Sequence, residues 1–350
     1  MMDNKDNQVN YLPGIGLDVG TSFIQVAKSK EDGKVDFVSQ RDAFYEIKPS
    51  SPQNALIIKN NILDKLGALY LVKNGNFYIV GQHAINYAAT LHKSAQRPLK
   101  RGVLSTRDRD SFGMLSVIIQ GLVGVPQIEN EKCCFCYPAN PIDEDYDNIY
   151  HRDLISKIIS NLGFLPIPLL EAEALVYSEL IEEDLTGITI SFGAGMTNIC
   201  VSYMGENVLS FSLAKGGDYI DISVAKAIGK TDTEIQTEKE AGFDILNPTD
   251  ETQEILQSYY YNLIRYVVDN LEHKLMRIEN IPKFNNPITV VISGGTSKPK
   301  GFLKIMEEFM KWKNKELDEK RDFPFQIKEI KYASDPLTAV ANGCLIVSQI

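Results

Sequence analysis

Hydrophobic positions along the chain follow two periodicities in turn. Short apolar runs rich in β-branched residues, separated by turn residues, predict strands at 14–20, 22–28 and 35–40. Apolar residues at helical spacing predict helices at 108–123, 151–162, about 171–182 and 252–278. Strands that are followed by helices in this way favour an α/β class, with mixed sheets covered by helices.

Two of these elements allow sharper predictions. Asn74-Gly75 lies between two short apolar runs, and this pair predicts a two-residue hairpin turn. In the long helix at 252–278, one face carries an apolar stripe that we expect to be buried. The stripe consists of Ile255, Tyr259, Leu263, Tyr266, Val267, Leu271 and Leu275.

The opening strand–turn–strand pattern occurs twice, at 17–27 and again at 190–201. Internal repetition of this kind predicts two related lobes. The expected limits are a flexible tail at 1–12, a first lobe at 13–185 with an insertion at about 38–95, and a second lobe at 186–334 with a reduced insertion at about 222–280. A last helix at 335–350 is expected to return to the first lobe.

Composition narrows the class of protein. The 350 residues are 44% hydrophobic, which is enough for a large core and excludes a disordered chain or a disulfide-held miniprotein. Lys and Arg number 36 against 46 Asp and Glu, and no basic run is interleaved with aromatic residues, so we predict no direct nucleic-acid partner. No apolar stretch approaches a membrane span, and no amphipathic membrane anchor is visible.

The cysteines indicate the cellular compartment of the protein and predict one buried strand. Their number, five, is odd, which suits a reducing cytoplasm. Cys133, Cys134 and Cys136 have a spacing that no common zinc site uses. Because a free thiol behaves as a small apolar side chain, these three predict a buried strand.

Glycine-rich turns carry the candidate chemistry. The chain has no Gly-x4-Gly-Lys-Ser/Thr loop, and the glycines at 14–20 are spaced one residue too widely for the dinucleotide fingerprint. What remains is a hairpin from Asp18 to Ser22, which is either a plain turn or a phosphate site. In a phosphate site its backbone N–H groups would approach the phosphate, and Asp18 could bind the water shell of Mg²⁺.

Three further glycine-rich turns favour a phosphate site over a plain turn. A second hairpin at 193–197 would lie on the other lobe, so that the two hairpins could enclose a polyphosphate between them. Gly294-Gly295 ends an apolar strand, where the backbone could lie flat against a base or ribose. Gly216-Gly217-Asp218 opens a helix.

The order of these motifs resembles the actin-like ATPases of the actin, sugar-kinase and heat-shock chaperone superfamily, above all the bacterial actin homologues of the MreB and MamK type. The resemblance spans about 14–346. It rests on segments similar to the family's two phosphate motifs, its adenosine motif and three further stretches, at 15–22, 191–197, 291–302, 97–120, 216–221 and 332–346. It implies a two-lobed actin-like fold of duplicated ribonuclease-H-like lobes, with a nucleotide cleft between them.

The resemblance also implies a set of site residues. Glu171 falls where the family places the residue that orients the attacking water, and Glu240 lies near its ribose- and adenine-contacting glutamate. Asp18 would contact Mg²⁺ through water. The residues implied in binding ATP or ADP are Gly20, Thr21, Ser22, Ser191, Gly193, Gly195, Met196, Thr197, Gly216, Gly217, Asp218, Glu240, Gly294, Gly295 and Thr296.

Two departures from the family pattern affect the expected function. Ser191 stands where the second phosphate motif has an aspartate, so coupling to Mg²⁺ should be weaker. The stretch before the long helix is short, so the fourth subdomain should be reduced, which puts the family's filament contacts in question.

Three hypotheses about function follow. The first is a cytoskeletal protein that polymerises with itself and, if it is an enzyme, acts as a slow Mg²⁺-dependent ATPase coupled to assembly. The second is a nucleotide-binding adaptor without turnover, similar to PilM or FtsA, which Ser191 favours. The third is a small-molecule kinase, which would need a carboxylate base after the third strand, and 137–141 offers none.

Overall fold

The computed structural model describes residues 12–91, 93–104, 109–278, 281–311 and 325–350. The tail predicted at 1–12 lies outside the described residues except for Leu12.

In the described residues of its first half, the chain forms ten strands and six α-helices. The strands are β1 (Ile15–Val19), β2 (Phe23–Ser29), β3 (Val35–Arg41), β4 (Phe44–Ile47), β5 (Tyr70–Lys73), β6 (Asn76–Val80), β7 (Leu99–Lys100), β8 (Val103–Leu104), β9 (Lys132–Tyr137) and β10 (Leu165–Leu170). The helices are α1 (Pro52–Ile58), α2 (Asp64–Leu66), α3 (Gln82–Thr90), α4 (Arg109–Val123), α5 (Ile149–Asn161) and α6 (Glu171–Glu179).

The second half supplies the remaining elements. The strands are β11 (Gly187–Phe192), β12 (Thr197–Tyr203), β13 (Glu206–Leu213), β14 (Ile288–Ser293) and β15 (Ile327–Tyr332). The helices are α7 (Gly217–Ile228), α8 (Asp232–Glu240), α9 (Glu251–Leu275), α10 (Phe302–Lys311) and α11 (Ala339–Ser348).

The two large sheets share one topology. Their strand orders are β10-β9-β1-β2-β3 and β13-β12-β11-β14-β15. In each sheet the central strand, β1 or β11, pairs antiparallel with the next strand of the chain and parallel with a strand reached by a crossover. The duplication predicted from the repeated strand–turn–strand pattern is therefore confirmed, and with it an α/β fold of two related lobes.

A smaller unit lies between β3 and β9 along the chain. It consists of the three-stranded sheet β4-β6-β5 with α1, α2 and α3, and it has an apolar cluster of its own. The hairpin predicted at Asn74-Gly75 is present between β5 and β6. The exact limits of the lobes and insertions stay a prediction.

Helix α9 buries a stripe that differs from the predicted one at its start. Four of the expected side chains are buried, at 263, 267, 271 and 275, but in the first two turns Leu256 and Tyr260 are buried instead of Ile255 and Tyr259. Both faces carry apolar residues there, so the sequence pattern alone does not decide between them. Tertiary contacts do, because the Tyr260 ring packs between Phe243 and Phe302.

Helix α11 lies on the first sheet, where it packs against β1, β2, β9 and α6. Ala27, Ala341 and Leu345 form a small apolar cluster at this contact. The close approach requires a glycine in β1, since a Cβ on Gly16 would lie 2.1 Å from the carbonyl oxygen of Ala341. The last described helix thus completes the lobe that the first strand begins.

We expect Gly16→Ala to lower the free energy of unfolding by about 1–3 kcal/mol, because the new methyl group must push α11 away from β1. Urea unfolding followed by circular dichroism measures the change. Gly113→Ala is the control, since a Cβ there meets only Leu71, at 3.9 Å, and alanine favours the α4 helix. Equal stability of the two variants would contradict the tight contact.

Candidate functional site

A cavity of about 670 Å³ lies between the two lobes. Its size is within the range of about 300–1,000 Å³ that small-molecule sites occupy. Both predicted phosphate hairpins line it, as do the start of α7, the end of α8 and the turn after β14. The sequence motifs, which are far apart in the chain, therefore meet at one place.

The first hairpin joins β1 to β2 and places Asp18 at the end of β1. Asp18 pairs across the hairpin with Gln25, and both side chains line the cavity. The Cys136 thiol, from the neighbouring strand β9, donates a hydrogen bond of 3.1 Å to Asp18 Oδ1. The carboxylate is thus held from the sheet side while it faces the cavity.

The second hairpin repeats this arrangement with a hydroxyl in place of the acid. Ser191 pairs with Asn198 across β11 and β12, as Asp18 pairs with Gln25. Ser191 Oγ donates to Glu171 Oε1 at 2.7 Å, and Asn198 Nδ2 donates to Glu171 Oε2 at 2.9 Å. Both oxygens of Glu171, at the start of α6, are therefore positioned by the second hairpin.

Asp18 and Glu171 form a pair of carboxyl groups with perturbed acidity. Burial raises the pKa of Asp18, and the hydrogen bond from Cys136 only partly offsets it. Burial also raises the pKa of Glu171, and the nearby charge of Asp18 adds to the effect, while the hydrogen bonds from Ser191 and Asn198 oppose it. A cation bound between the two carboxylates would relieve their repulsion.

Thr197 and Gly216 are the two predicted binding residues that do not line the cavity. Thr197 pairs with Phe192, which is fully buried, and its hydroxyl donates to the carbonyl of Lys215 at 2.8 Å. Because side chains alternate across a strand, Asn198 rather than Thr197 faces Glu171. Gly216 packs against the carbonyl of Gly193.

The start of α7 fixes the second hairpin. The backbone N–H groups of Gly217 and Asp218 donate to the carbonyls of Gly193 and Ala194 at 3.0 and 2.8 Å. From the turn after β14, Thr296 Oγ1 donates to the same Gly193 carbonyl at 2.8 Å. Three of the predicted motifs thus support one another by direct hydrogen bonds.

The two lobes are in contact at the hairpins. The N–H of Gly102, in the turn between β7 and β8, donates to Thr21 Oγ1 at 3.1 Å. A Cβ on Gly195 would lie 2.5 Å from that hydroxyl oxygen, so the second hairpin needs a glycine here. Thr21 and Gly195 therefore bring the lobes together beside the carboxylates.

The far end of the cavity carries both lysines and carboxylates, and Lys300 is paired with Asp244 at 2.7 Å. This end is lined by Phe243, Lys298 and Lys300, together with Lys239 and Glu240 from the end of α8. The Lys239 ammonium group donates to Asp221 Oδ2 at 2.7 Å and to the carbonyl of Gly217 at 3.2 Å. The cavity therefore has an acidic end at Asp18 and Glu171 and an end of mixed charge at α8.

Sequence reasoning missed several residues of the site. Gln25 and Asn198 lie directly opposite Asp18 and Ser191 in the hairpins, and the strand register could have identified them. Arg41 lines the cavity from the end of β3, but no local pattern marks it. The other predicted residues, apart from Thr197 and Gly216, all line the cavity.

The residues present fit a hydrated cation better than one bound by protein ligands alone. Within the described ranges, no group of three or more His, Cys, Asp or Glu side chains could hold a metal ion. Mg²⁺ keeps several water ligands and needs only one or two carboxylates, of which Asp18 could provide one. A polyphosphate near this carboxylate would in turn need such a cation to neutralise the repulsion.

None of the helices in the described part of the chain combines the length and the apolar character needed to cross a membrane.

One family model matches nearly the whole chain. The family is described as Volactin, and the match covers residues 14–348. None of the curated protein sequences gives a significant match.

Three solved structures show how far the likeness extends. The MamK double helical filament is 18% identical with a TM-score of 0.71, and the alignment covers 97% of this chain and 99% of MamK. MreB5 of Spiroplasma citri bound to ADP is 17% identical with a TM-score of 0.63, covering 95% and 94%. The PilM-PilN type IV pilus biogenesis complex is 10% identical with a TM-score of 0.56, covering 96% and 98%. The predicted actin-like two-lobed fold is confirmed.

Proposed function

This chain belongs to the Volactin family, and from that premise we propose that it binds ATP or ADP between its lobes and polymerises into actin-like filaments, with slow hydrolysis of ATP. The observation that carries the proposal is the cavity in which both hairpins, the α7 start and the turn after β14 converge. Neighbours with the same fold support it, since one is a MamK filament and another is MreB5 with bound ADP.

The two ends of the cavity suggest how a nucleotide would lie. Its phosphates would be held between the hairpins, where backbone N–H groups of glycine-rich turns act as donors. Mg²⁺ would supply charge neutralisation of the phosphates. The opposite end, with Phe243, Lys298 and the turn after β14, would receive the base and ribose.

Glu171 is the residue that we propose orients the attacking water. Ser191 and Asn198 hold its two oxygens at 2.7 and 2.9 Å, so the carboxyl group has little freedom to rotate. Positioning of this kind, together with electrostatic stabilisation, supplies most of the catalysis of phosphoryl transfer. Hydrolysis would be slow because Ser191 contributes no second carboxylate.

A second candidate is a nucleotide-binding adaptor without turnover. Ser191 favours it, because its hydroxyl donates its hydrogen bond to Glu171 and brings no charge to a cation. PilM, which has the same fold and occurs in a pilus biogenesis complex, shows that the architecture serves assemblies of other kinds.

Assembly separates the two candidates. We expect the purified protein with ATP and Mg²⁺ to sediment in the ultracentrifuge and to show filaments by electron microscopy. Samples with EDTA, or without nucleotide, should give fewer filaments. A protein that binds ATP but stays monomeric at tens of micromolar, across salt concentrations, would favour the adaptor.

Ser191→Asp tests the missing carboxylate. Ser191 is 2% exposed and lies against Glu171, so a second charge there should lower the melting temperature when no cation is present. With Mg²⁺ and ATP the loss should be largely recovered, because the cation would sit among the carboxylates. Thermal melts with and without Mg²⁺–ATP measure the difference, and Ser191→Ala controls for the lost hydrogen bond. A melting temperature that drops equally in both conditions would show that no cation binds there.

A further inference from the structure

A chain of side-chain hydrogen bonds crosses between the lobes where the cavity meets solvent. It begins at Arg41, at the end of β3 in the first lobe. Arg41 Nη1 and Nη2 donate to the two carboxylate oxygens of Glu240, on α8 of the second lobe, at 3.3 and 2.9 Å. Both residues line the cavity, and the Glu240 side chain is 44% exposed while that of Arg41 is 17% exposed. The pair therefore spans the opening of the cleft.

Arg41 is held rigidly on the first lobe. Its guanidinium lies over the ring of Phe23 at 4.0 Å, and Nη1 also donates to Ser22 Oγ at 3.1 Å. Phe23 and Ser22 belong to the first hairpin and the strand that follows it. The planar group is thus preorganised for two parallel hydrogen bonds to a carboxylate, an arrangement that lysine cannot make.

The network of hydrogen bonds continues along α8 to a second arginine. Gln236 Nε2 donates to Glu240 Oε1 at 2.7 Å, and Gln236 Oε1 accepts from Arg97 Nη2 at 3.0 Å. Arg97 Nη1 then donates to both oxygens of Asp218, at the start of α7, at 2.8 and 3.0 Å. Two arginines of the first lobe are thereby joined to α7 and α8 through one connected network.

Glu240 has most of its hydrogen-bonding capacity committed to this network. Its oxygens already receive three donors, two from Arg41 and one from Gln236. The resemblance to the family implied that Glu240 contacts the ribose of a nucleotide. In this chain the geometry gives it a partner on the opposite lobe instead.

We propose that the Arg41–Glu240 pair is a latch across the nucleotide cleft, and that it must open before bound nucleotide can leave. The proposal rests on the proposed nucleotide binding. A lobe movement wide enough to release a ligand separates β3 from α8, so it breaks both hydrogen bonds of the pair. The same movement strains the hydrogen bond between Gln236 and Arg97. The latch therefore sets the rate of nucleotide exchange rather than the chemistry at Glu171.

The rate of ADP release tests the latch. Radiolabelled ADP is bound in the presence of Mg²⁺, chased with excess unlabelled ATP, and its dissociation is followed by filtration. We expect Arg41→Ala to release ADP about tenfold faster, which corresponds to about 1.4 kcal/mol. Glu240→Gln should have a similar effect, and the double variant should be no faster than either single variant, because both remove one interaction.

Arg152→Ala is the matched control, since it deletes an arginine whose ion pair with Asp153 lies within α5, away from the cleft. It should leave ADP release unchanged. An Arg41→Ala variant with the wild-type release rate would overturn the latch. If Arg41→Ala and Glu240→Gln had additive effects on the rate of ADP release, this would also overturn the latch. Additivity would mean that Glu240 contacts the nucleotide independently of Arg41.

A second readout does not depend on nucleotide. The five native cysteines are free and buried, so spin labels can be directed to Lys65→Cys, on α2, and Lys226→Cys, on α7, both at exposed positions. In nucleotide-free protein, Arg41→Ala should broaden the label distance and lengthen it. A protein that shows this change but does not bind ADP would contradict the proposed function and support the latch. Normal ADP binding with an unchanged label distance would support the proposed function and contradict the latch.

Discussion

Replacing Asp18 by alanine should lower the affinity for Mg²⁺–ATP about 100-fold and remove its dependence on Mg²⁺. Asp18 is the only acid in the two hairpins, so no other hairpin side chain can take over the charge that faces the cation. A lost hydrogen bond to a charged group costs about 1.5–3 kcal/mol, and about 2.7 kcal/mol corresponds to that factor. Isothermal titration calorimetry with ATP, at a series of Mg²⁺ concentrations, measures both quantities.

Two further variants make this result specific. Asp18→Asn keeps the shape of the side chain, and it should lose Mg²⁺ dependence as fully as the alanine variant does. Asp36→Ala removes an exposed acid of β3 that forms an ion pair with Lys30, and it should bind as the wild type does. Unchanged Mg²⁺ dependence in both Asp18 variants would remove the proposed metal site.

Replacing Glu171 by glutamine should reduce ATP turnover about 100-fold while the affinity for ATP changes little. Loss of a positioned acid or base typically costs 10²–10⁴-fold in rate, and the glutamine oxygen can still accept a hydrogen bond. Glu173→Gln is the matched control, because this neighbouring glutamate on α6 pairs with Asn207, away from the cavity. Equal loss in the two variants would point to damage to α6 and not to catalysis.

The raised pKa of Glu171 adds a test by pH. Since turnover needs the ionised carboxylate, the rate should rise with pH as Glu171 ionises, above the range of an ordinary glutamate. Stability should change in the opposite direction. A carboxyl group whose pKa is higher in the folded than in the unfolded state stabilises the fold at low pH, and this contribution is lost as pH rises through the folded pKa. Glu171→Gln should flatten both profiles.

Much of the fold could be predicted because its signals are local. The repeated strand–turn–strand pattern identified the duplication, since each copy is set by its own glycine turn and its own alternation of apolar residues. All of the site residues predicted from the motifs line the cavity except Thr197 and Gly216, although the cavity has many further lining residues that the motifs did not indicate. The hairpin at Asn74-Gly75 likewise depends only on the two residues of its turn.

What escaped prediction depends on contacts between distant segments. Arg41 and Glu240 are 199 positions apart, and neither stands in a pattern that names the other. The choice of Leu256 and Tyr260 over Ile255 and Tyr259 in α9 was made by aromatic partners elsewhere in the lobe. Side chains alternate across β12, so Asn198 faces Glu171 and Thr197 does not. The likeness to the family's motif did not show which of these two neighbours faces the site.

The return of α11 to β1 has a consequence for how the chain is made. The five strands of the second sheet all lie between 187 and 332, so this sheet can form as soon as that stretch has left the ribosome. The first lobe cannot close, because the face of β1 and β2 around Ala27 stays uncovered until Ala341 and Leu345 have been synthesised. Contacts over such a separation slow folding, since a long loop must close first. The first strands to be synthesised therefore lack the helix that covers this face until almost the whole chain has been made.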